Sequence, residues 1–360
     1  MKSVLHCRLV FPKLRQFLLL IFGMPEIRKV ALNGRELMAQ TGVEESPPRR
    51  GIRRQCLASR FIENTIAQLN FGDEICGSRQ MTEDEIKKFW NAHPCGELQY
   101  VGLKGDYEEF FSCYDALRYS RERHILRALD RIDFNGKKVL EIGFGQGSDS
   151  EQIIRRGGQW SGVDLTPESV ARMRIRLQIH QLPYDELECA SALALPFISE
   201  SFDVVFSHGV LHHIPDIGTA QREIARVLKS SGRLIMMVYA RRSLNYQLAI
   251  KVIRRIALAA CYLSQARPGG IVNAHLDNAH KVGLSKYLKM SNFIHRNTDG
   301  PLNPYSKVYD LATVRRDFPD FSIERSYQLW MHAPPVPVAW LSPLEGVLGW
   351  HLWVHLLPKK

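Results

Sequence analysis

The chain has 360 residues, of which 45% are hydrophobic and 24% are charged, a balance that predicts a globular protein with a sizeable core. No run approaches the ~18 consecutive apolar residues that a membrane-spanning helix requires. The short apolar run at 17–22 follows several basic residues, but no small-residue cleavage site comes after it, so we do not expect export. The seven cysteines form no Cys-x-x-Cys pair, which excludes the usual zinc and disulfide patterns and favours the reducing cytoplasm. We therefore expect no metal site.

The net charge of +11 is concentrated in two segments. Residues 1–60 hold 12 basic and 4 acidic residues, and residues 241–296 hold 10 basic residues with Asp277 as their one acid. The rest of the chain is mildly acidic. A protein that coats nucleic acid would spread its positive charge over its binding face, so nucleic acid is not the expected partner.

The N-terminal third divides into two parts. Residues 1–80 show weak periodicity and turn-rich composition, and we predict a poorly ordered basic extension there. A helix is predicted to begin after Thr82, which can act as its N-cap ahead of three acidic residues. Apolar residues then recur at helical spacing over 107–129, so residues 81–130 are predicted to form a helical cap.

From residue 131 the pattern changes to short strands that alternate with helices. Apolar strands are predicted at 138–142, 159–165, 186–191, 202–207 and 233–239. Helices are predicted at 148–156, from 166 onward and at 216–229. Regular alternation of this kind predicts a doubly wound α/β fold with a mostly parallel sheet covered by helices on both faces.

The regularity stops after residue 240. Residues 241–310 are predicted to be a helical insertion with a long amphipathic helix at 244–263. Its turn-rich loop at 295–301 either reaches the substrate or is an exposed connector. A helix at 311–318 and strands at 322–330 and 351–357 complete the fold. Residues 131–360 thus form one predicted domain with an insertion.

The most informative segment follows the first strand, where three glycines alternate with other residues. Gly143, Gly145 and Gly147 allow a sharp turn and close approach of a ligand to the backbone. Asp164 ends the second strand, the position that faces a ribose in doubly wound folds. The alternative is a tight turn with a solvent-facing acid, but the strand, loop, helix and acid occur together in the order that nucleotide binding requires.

The glycine spacing indicates which nucleotide is bound. Dinucleotide-binding loops have Gly or Ala at the sixth position, where this chain has Ser148. The Gly-x-Gly-x-Gly spacing instead resembles class I methyltransferases that use S-adenosylmethionine. Three later segments add to the resemblance, which is strongest to the type 11 small-molecule subgroup: 194–197, 202–214 and 226–234. It implies a Rossmann-like, seven-stranded sheet with an antiparallel C-terminal strand.

The resemblance also implies roles for individual residues. Gly143, Gly145 and Gly147 would pack against the methionine part of S-adenosylmethionine. Glu141 would support its amino group through the loop, Asp164 would hold the ribose and Leu165 would lie beside the adenine. The remaining cofactor-binding positions that it implies are Ser191, Ala192 and His208.

Ser191 departs from the family pattern, which often has Asp at this position against the adenine amino group. A hydroxyl accepts a hydrogen bond more weakly than a carboxylate does. The sequence therefore predicts reduced cofactor affinity and a gain in affinity on Ser191→Asp.

Histidines after the fourth strand are the candidates for catalysis. His212 and His213 follow that strand at the rim where ligands bind in this fold, and a histidine suits general-base catalysis on a hydroxyl. The alternative is a histidine that only stabilises its loop. No Asn/Asp-Pro-Pro-aromatic segment or Pro-Cys pair follows this strand, which argues against methylation of nucleic-acid bases.

The insertion helix has a basic amphipathic pattern. Its apolar stripe (Leu244, Leu248, Val252 and Ile256) lies beside Lys251, Arg254 and Arg255. Such a helix can make peripheral contact with an anionic membrane, or pack on its own domain as a lid.

Three hypotheses remain after the sequence. The leading one is methylation of a small, hydrophobic molecule. The others are methylation of RNA through the basic segments, and a non-catalytic protein that binds S-adenosylmethionine. A nicotinamide-dependent dehydrogenase fits the loop least well. The sequence does not identify the methyl acceptor or the oligomeric state.

Overall fold

The computed structural model describes residues 81–94, 106–334 and 336–359, and the predicted extension at 1–80 lies outside these ranges. None of the helices in these ranges is long and apolar enough to cross a membrane. The α-helices are α1 (Glu83–Ala92), α2 (Tyr107–Arg121), α3 (His124–Leu129), α4 (Ser148–Arg155), α5 (Pro167–Ile179), α6 (Ile217–Val227), α7 (Arg255–Leu263), α8 (Gly270–Val282), α9 (Leu284–Tyr287), α10 (Met290–Phe293), α11 (Leu311–Asp317) and α12 (Glu345–Leu348). The strands are β1 (Lys138–Ile142), β2 (Gln159–Asp164), β3 (Leu187–Cys189), β4 (Phe202–His208), β5 (Leu228–Tyr239), β6 (Phe321–Leu329) and β7 (His351–Pro358).

These strands form one seven-stranded sheet in the order β3-β2-β1-β4-β5-β7-β6. Strands β1 to β5 pair in parallel, and β7 is antiparallel to both β5 and β6. The predicted doubly wound α/β fold with an antiparallel C-terminal strand is confirmed. The carboxyl ends of the five parallel strands therefore lie on the same side of the sheet, which is called the rim below. Strand β1 is the middle one of these five strands.

Alternate residues of the central strands belong to two separate hydrophobic clusters. Leu140 and Val205 belong to one cluster, while their neighbours Val139 and Val204 belong to the other. Successive side chains of a strand point to opposite faces, so both faces of the sheet are covered. This explains why the central strands are apolar without alternation.

Helix α1 begins as the sequence predicts, with a reciprocal cap. The Thr82 hydroxyl accepts a hydrogen bond from the Glu85 amide at 3.4 Å, and the Thr82 amide donates to the Glu85 carboxylate at 2.8 Å. Thr166 also stands at an N-cap position, but its hydroxyl donates to Asp164 instead of accepting from the helix backbone. That threonine therefore fixes a candidate site residue, and Pro167 opens α5.

The border between α6 and β5 differs from the prediction. The helix predicted at 216–229 ends at Val227, because Leu228 already pairs with Phe202 of β4. The pairing then jumps to Arg233 against Val204, so the intervening residues 229–232 bulge out of the ladder. The Ser-Ser-Gly turn that the sequence predicts lies in this bulge.

The insertion has its own hydrophobic cluster, which includes Ile250, Leu258 and Leu276. Its predicted helix at 244–263 consists of a π-helical segment, Asn245–Arg254, followed by α7. The expectation that Arg254 lies on a basic surface is wrong. Its guanidinium is buried and donates to the Asn297 carbonyl at 2.9 Å. This hydrogen bond supplies the polar partner that a buried cation needs.

Candidate functional site

The glycine loop leaves β1 at the centre of the rim and ends at the start of α4. Gly143, Gly145 and Gly147 all have positive φ angles, of 75°, 54° and 80°. A Cβ atom at Gly143 would lie 2.4 Å from Val210, and one at Gly147 would lie 2.4 Å from the Met173 sulfur. A Cβ atom at Gly145 would meet no described atom within 4 Å. The outer glycines are therefore required by packing, whereas the middle one has an open side.

Asp164 ends the neighbouring strand β2 and lies against this loop. Its Oδ2 accepts a hydrogen bond from the Gly145 amide at 3.2 Å, and its Oδ1 accepts from the Thr166 amide and hydroxyl at 2.9 and 2.8 Å. Burial raises the pKa of the Asp164 carboxyl, while these hydrogen bonds oppose that rise. Leu165, the next residue, is partly buried. The acid and the loop that the sequence associates are thus in direct contact.

Glu141 is buried in β1, just before the glycine loop. The Trp160 indole N–H donates to its Oε2 at 2.8 Å. Burial raises the pKa of Glu141 to about 7, and the hydrogen bond from Trp160 limits the rise. Glu141 therefore links β1 to β2 behind the loop.

Ser191 and Ala192 follow β3 on the same rim, and here the structure adds a residue that the sequence did not single out. The Ser191 hydroxyl donates to the Glu83 Oε2 at 2.5 Å and accepts from the Leu193 amide at 2.9 Å. Ala192 is buried beside it. Glu83 is the first residue of α1, so this helix brings a carboxylate to Ser191.

His208, at the end of β4, is part of a buried ion network. Its Nδ1 lies 2.5 Å from the Asp149 Oδ2, to which the Arg118 guanidinium also donates at 2.7 Å. Tyr119 donates to the other oxygen of Asp149 at 3.1 Å. Burial alone would raise the pKa of Asp149, but the charges of Arg118 and His208 hold it well below its usual range. His208 thus joins β4 to the start of α4 and to α2.

His212 and His213 lie in a 3-10 turn after β4, and the insertion brings Asp299 to them. One possible metal-ligand atom from each of the three lies within 4.8 Å of the other two. The His213 Nδ1 lies 2.7 Å from the Tyr305 carbonyl oxygen, so Nδ1 carries the proton and donates it. The Nε2 of His213 then faces the Asp299 Oδ2 at 3.4 Å.

Aromatic rings enclose this cluster. The His212 ring lies 4.0 Å from the Tyr239 ring and 4.3 Å from the His213 ring, measured between centroids. Trp90 of α1 packs edge-on against His213 at 5.0 Å. Both histidines are buried, and burial holds the pKa of His212 well below its usual value. Helix α1 therefore contacts the rim at Ser191 and again at His213.

Comparison with known proteins identifies the central part of the chain. Residues 140–236 match the family model described as "Methyltransferase domain". A ubiquinone biosynthesis O-methyltransferase of Stutzerimonas stutzeri (strain A1501) is 33% identical over 143 residues, which are 39% of this chain and 58% of the relative. Methyltransferase GfsG of Streptomyces halstedii is 31% identical over 183 residues, 48% of this chain and 62% of the relative. The match thus spans about three fifths of the length of these curated relatives.

Among solved structures, a SAM dependent methyltransferase from Aquifex aeolicus is similar with a TM-score of 0.42 and 14% sequence identity. That comparison covers 71% of this chain and 100% of the other.

The buried Glu141 leads to a prediction about pH. Its folded-state pKa of about 7 exceeds its ordinary value of 4.5, so the folded protein binds the extra proton between these values. Stability is therefore lost as the pH rises through this window, by an amount on the order of 3 kcal/mol. Glu141→Gln cannot ionise, and we expect its free energy of unfolding to depend less on pH than that of the wild type.

Urea unfolding at pH 5 and pH 8 measures this difference. The exposed Glu188→Gln on β3 is the matched control, and its pH dependence should equal that of the wild type. Parallel pH profiles for the wild type and Glu141→Gln would contradict the assignment.

Proposed function

We propose that the chain is a class I S-adenosylmethionine-dependent methyltransferase of the type 11 family and that it methylates a hydroxyl of a small hydrophobic molecule. The match of residues 140–236 to the methyltransferase family model supports this proposal. The observation that carries the proposal is the open side of Gly145, next to the ordered carboxylate of Asp164. The O-methyltransferase relative supports a hydroxyl acceptor.

The rim residues fit the cofactor. Gly143, Gly145 and Gly147 would face its methionine part, and Asp164 with Leu165 would hold its adenosine part. Ser191 and Ala192 would border the adenine, with Glu141 behind the loop. When bound, S-adenosylmethionine supplies a methyl group already activated by its sulfonium.

The contacts of His208 support a positioning role for this residue. Its Nδ1 binds Asp149 at the start of α4, the helix that the glycine loop enters. We therefore assign His208 to holding that loop in place rather than to direct contact with the cofactor.

The protein's own task is to align the acceptor and exclude water. We assign the acceptor end to the cluster of His212 and His213, which lies beside the glycine loop because Val210 packs against Gly143. Of the predicted helical cap at 81–130, the described helices α1 to α3 would cover the rim, with Trp90 against His213. The insertion at 241–310 completes the acceptor end through Asp299 and Tyr305.

Gly145→Ala tests the cofactor site. The methyl group would enter the open side of the loop, so we expect S-adenosylmethionine affinity to fall at least about tenfold, or about 1.4 kcal/mol. Isothermal titration calorimetry measures the affinity. Gly136→Ala is the matched control, because Gly136 also has a positive φ, of 67°, and a free Cβ direction, but lies before β1 at the opposite edge of the sheet. Both variants should lose similar stability.

The outcomes separate the hypotheses. Equal affinity in the two variants would refute the site. Formation of S-adenosylhomocysteine with lipophilic phenols but not with RNA supports the proposed acceptor class. Salt-sensitive methylation of RNA would favour an RNA methyltransferase. Cofactor binding without turnover on any acceptor pool would favour a non-catalytic protein.

Glu83 is proposed as the carboxylate that replaces the family's Asp beside the adenine. Its Oε2 is 2.5 Å from the Ser191 hydroxyl, so the negative charge lies next to the position where that Asp would stand. The reduced affinity predicted from Ser191 alone is therefore compensated by α1. A second carboxylate introduced at 191 would lie against Glu83 and repel it.

Two substitutions test this assignment. We expect Glu83→Gln to weaken S-adenosylmethionine binding by at least about tenfold, the loss of one hydrogen bond to a charged group. Asp84→Asn removes the same charge from the same helical turn at an exposed position, and it should leave the affinity unchanged. Ser191→Asp should bring no gain. A gain on Ser191→Asp, or equal effects of the two helix variants, would show that Glu83 is not the replacement.

Peripheral membrane contact is proposed for the insertion helix. Leu248, Val252 and Ile256, spaced four residues apart, are exposed, and Ile256 retains 65% of its accessible surface. Lys251 and Arg255 lie on the same stretch of helix. An exposed apolar row with basic neighbours favours the interface of an anionic membrane, where a hydrophobic acceptor would be found. A reducing compartment such as the cytoplasm is proposed, because Cys189 and Cys261 form no disulfide within the described ranges.

Ile256→Glu tests the membrane contact. We expect this variant to co-sediment with vesicles of phosphatidylglycerol and phosphatidylcholine several-fold less than the wild type, because a charge would enter the apolar row. Ile198→Glu is the control, since Ile198 is 81% exposed in the loop before β4. Equal binding of both variants would refute the assignment.

A further inference from the structure

We propose that His212, His213 and Asp299 bind a divalent transition-metal cation such as Zn²⁺. The binding is inferred from the geometry of this cluster alone. The role of the cation rests on the proposed function, because the cluster is the assigned acceptor end.

The first argument is the lack of polar partners inside a buried cluster. Among the described residues, neither ring nitrogen of His212 has a hydrogen-bond partner, although its side chain is fully buried. The Nε2 of His213 is also buried without one. Each such group loses its hydration on burial and gains no hydrogen bond in exchange, which destabilises the folded protein. A cation between the three side chains would satisfy His213 and one nitrogen of His212.

The second argument concerns the contact between His213 and Asp299. Nδ1 of His213 donates its proton to the Tyr305 carbonyl, so Nε2 of the neutral ring carries a lone pair. This lone pair points at the carboxylate of Asp299. A lone pair and a carboxylate repel each other unless a positive charge lies between them. That charge is either a proton on Nε2 or a metal ion.

The distance favours the metal ion. A charge-assisted N–H···O bond has a length of about 2.7–2.9 Å, whereas Nε2 and Oδ2 are 3.4 Å apart. Two ligands at about 2.1 Å from a tetrahedral zinc ion lie about 3.4 Å from each other. A proton would also leave both nitrogens of His212 without a partner.

The third argument is the set of groups that hold the proposed ligands. The Tyr305 carbonyl fixes the ring of His213, as backbone carbonyls do for metal-bound histidines. The Tyr239 hydroxyl donates to the Asp299 Oδ1 at 2.7 Å, which leaves Oδ2 directed at His213. A long contact of 3.5 Å joins Oδ2 to the Asn303 amide. Two of the three ligands are thus oriented in advance.

The ligand types select the metal. Two imidazoles and one carboxylate suit Zn²⁺ or Fe²⁺, whereas Mg²⁺ and Ca²⁺ require oxygen ligands. Three protein ligands leave a position open for an acceptor hydroxyl, and the cation would lower its pKa. In this role the hydroxyl would give up its proton to a water molecule, its oxygen would form the bond to the methyl group, and the methyl–sulfur bond of S-adenosylmethionine would break to leave S-adenosylhomocysteine.

Metal titration tests the site. The full chain is stripped with a chelator, and Zn²⁺ binding is measured by calorimetry for the wild type, Asp299→Asn and His213→Gln. We expect one Zn²⁺ per chain and a loss of affinity of at least about 100-fold in both variants, since each removes a ligand. His124→Gln is the matched control. It alters another buried histidine pair of the rim, in which His124 Nε2 and His351 Nδ1 are 2.9 Å apart, and should bind Zn²⁺ as the wild type does.

A spectroscopic measurement keeps the test decisive if a variant folds poorly. Co²⁺ bound to the wild type should give the visible absorption of a tetrahedral nitrogen and oxygen site, and one equivalent of Zn²⁺ should abolish it. A thiolate charge-transfer band would place the ion on cysteines and overturn the proposal. Absence of binding, or equal affinity in the wild type and Asp299→Asn, would also overturn it.

Failure of this inference differs from failure of the proposed function. Zn²⁺ binding that requires Asp299, without any S-adenosylmethionine affinity, would leave the metal site standing and refute the methyltransferase. If no Zn²⁺ binds, and cofactor binding and methyl transfer are unchanged by the chelator, the metal site would be refuted and the methyltransferase function would stand.

Discussion

The hydrogen bond from the Gly145 amide to Asp164 is the interaction on which the geometry of the rim depends. It joins the ends of two adjacent parallel strands. Packing restrains the loop, because Val210 and Met173 lie against its outer glycines. Two hydrogen bonds from Thr166 restrain the Asp164 carboxylate. Among the described residues, Gly145 is the glycine of this loop with an open side, and a ligand would approach the loop there.

Short-range patterns in the sequence were sufficient to predict this part of the molecule. The apolar strands, the glycine spacing and the position of Asp164 depend on neighbouring residues and on the regular succession of strand and helix. The order of the sheet follows once the alternation is recognised. The border of β5 was missed because one backbone pairing at Leu228 outweighs the local turn signal of the following serines and glycine.

The rest of the site depends on contacts between distant segments, which no local pattern reports. Glu83 and Ser191 are 108 residues apart, and nothing near either one indicates the other. Asp299 lies in the turn-rich loop that was expected to reach the substrate, but its pairing with His213 requires the packed insertion. Arg254 is misleading in the sequence because an arginine on an amphipathic helix is usually exposed, whereas here the guanidinium is buried and donates a hydrogen bond to a backbone carbonyl.

The position of β7 also constrains how the molecule can form. Residues 351–358 come after β6 in the chain, yet they lie between β5 and β6, and β7 is the strand to which β6 is hydrogen-bonded. During synthesis β6 leaves the ribosome first and has no place in the sheet until the later segment inserts beside β5. The ends of β1 to β4 can thus assemble early, whereas β5 gains its second neighbour only when His351, more than a hundred residues after Tyr239, has been synthesised.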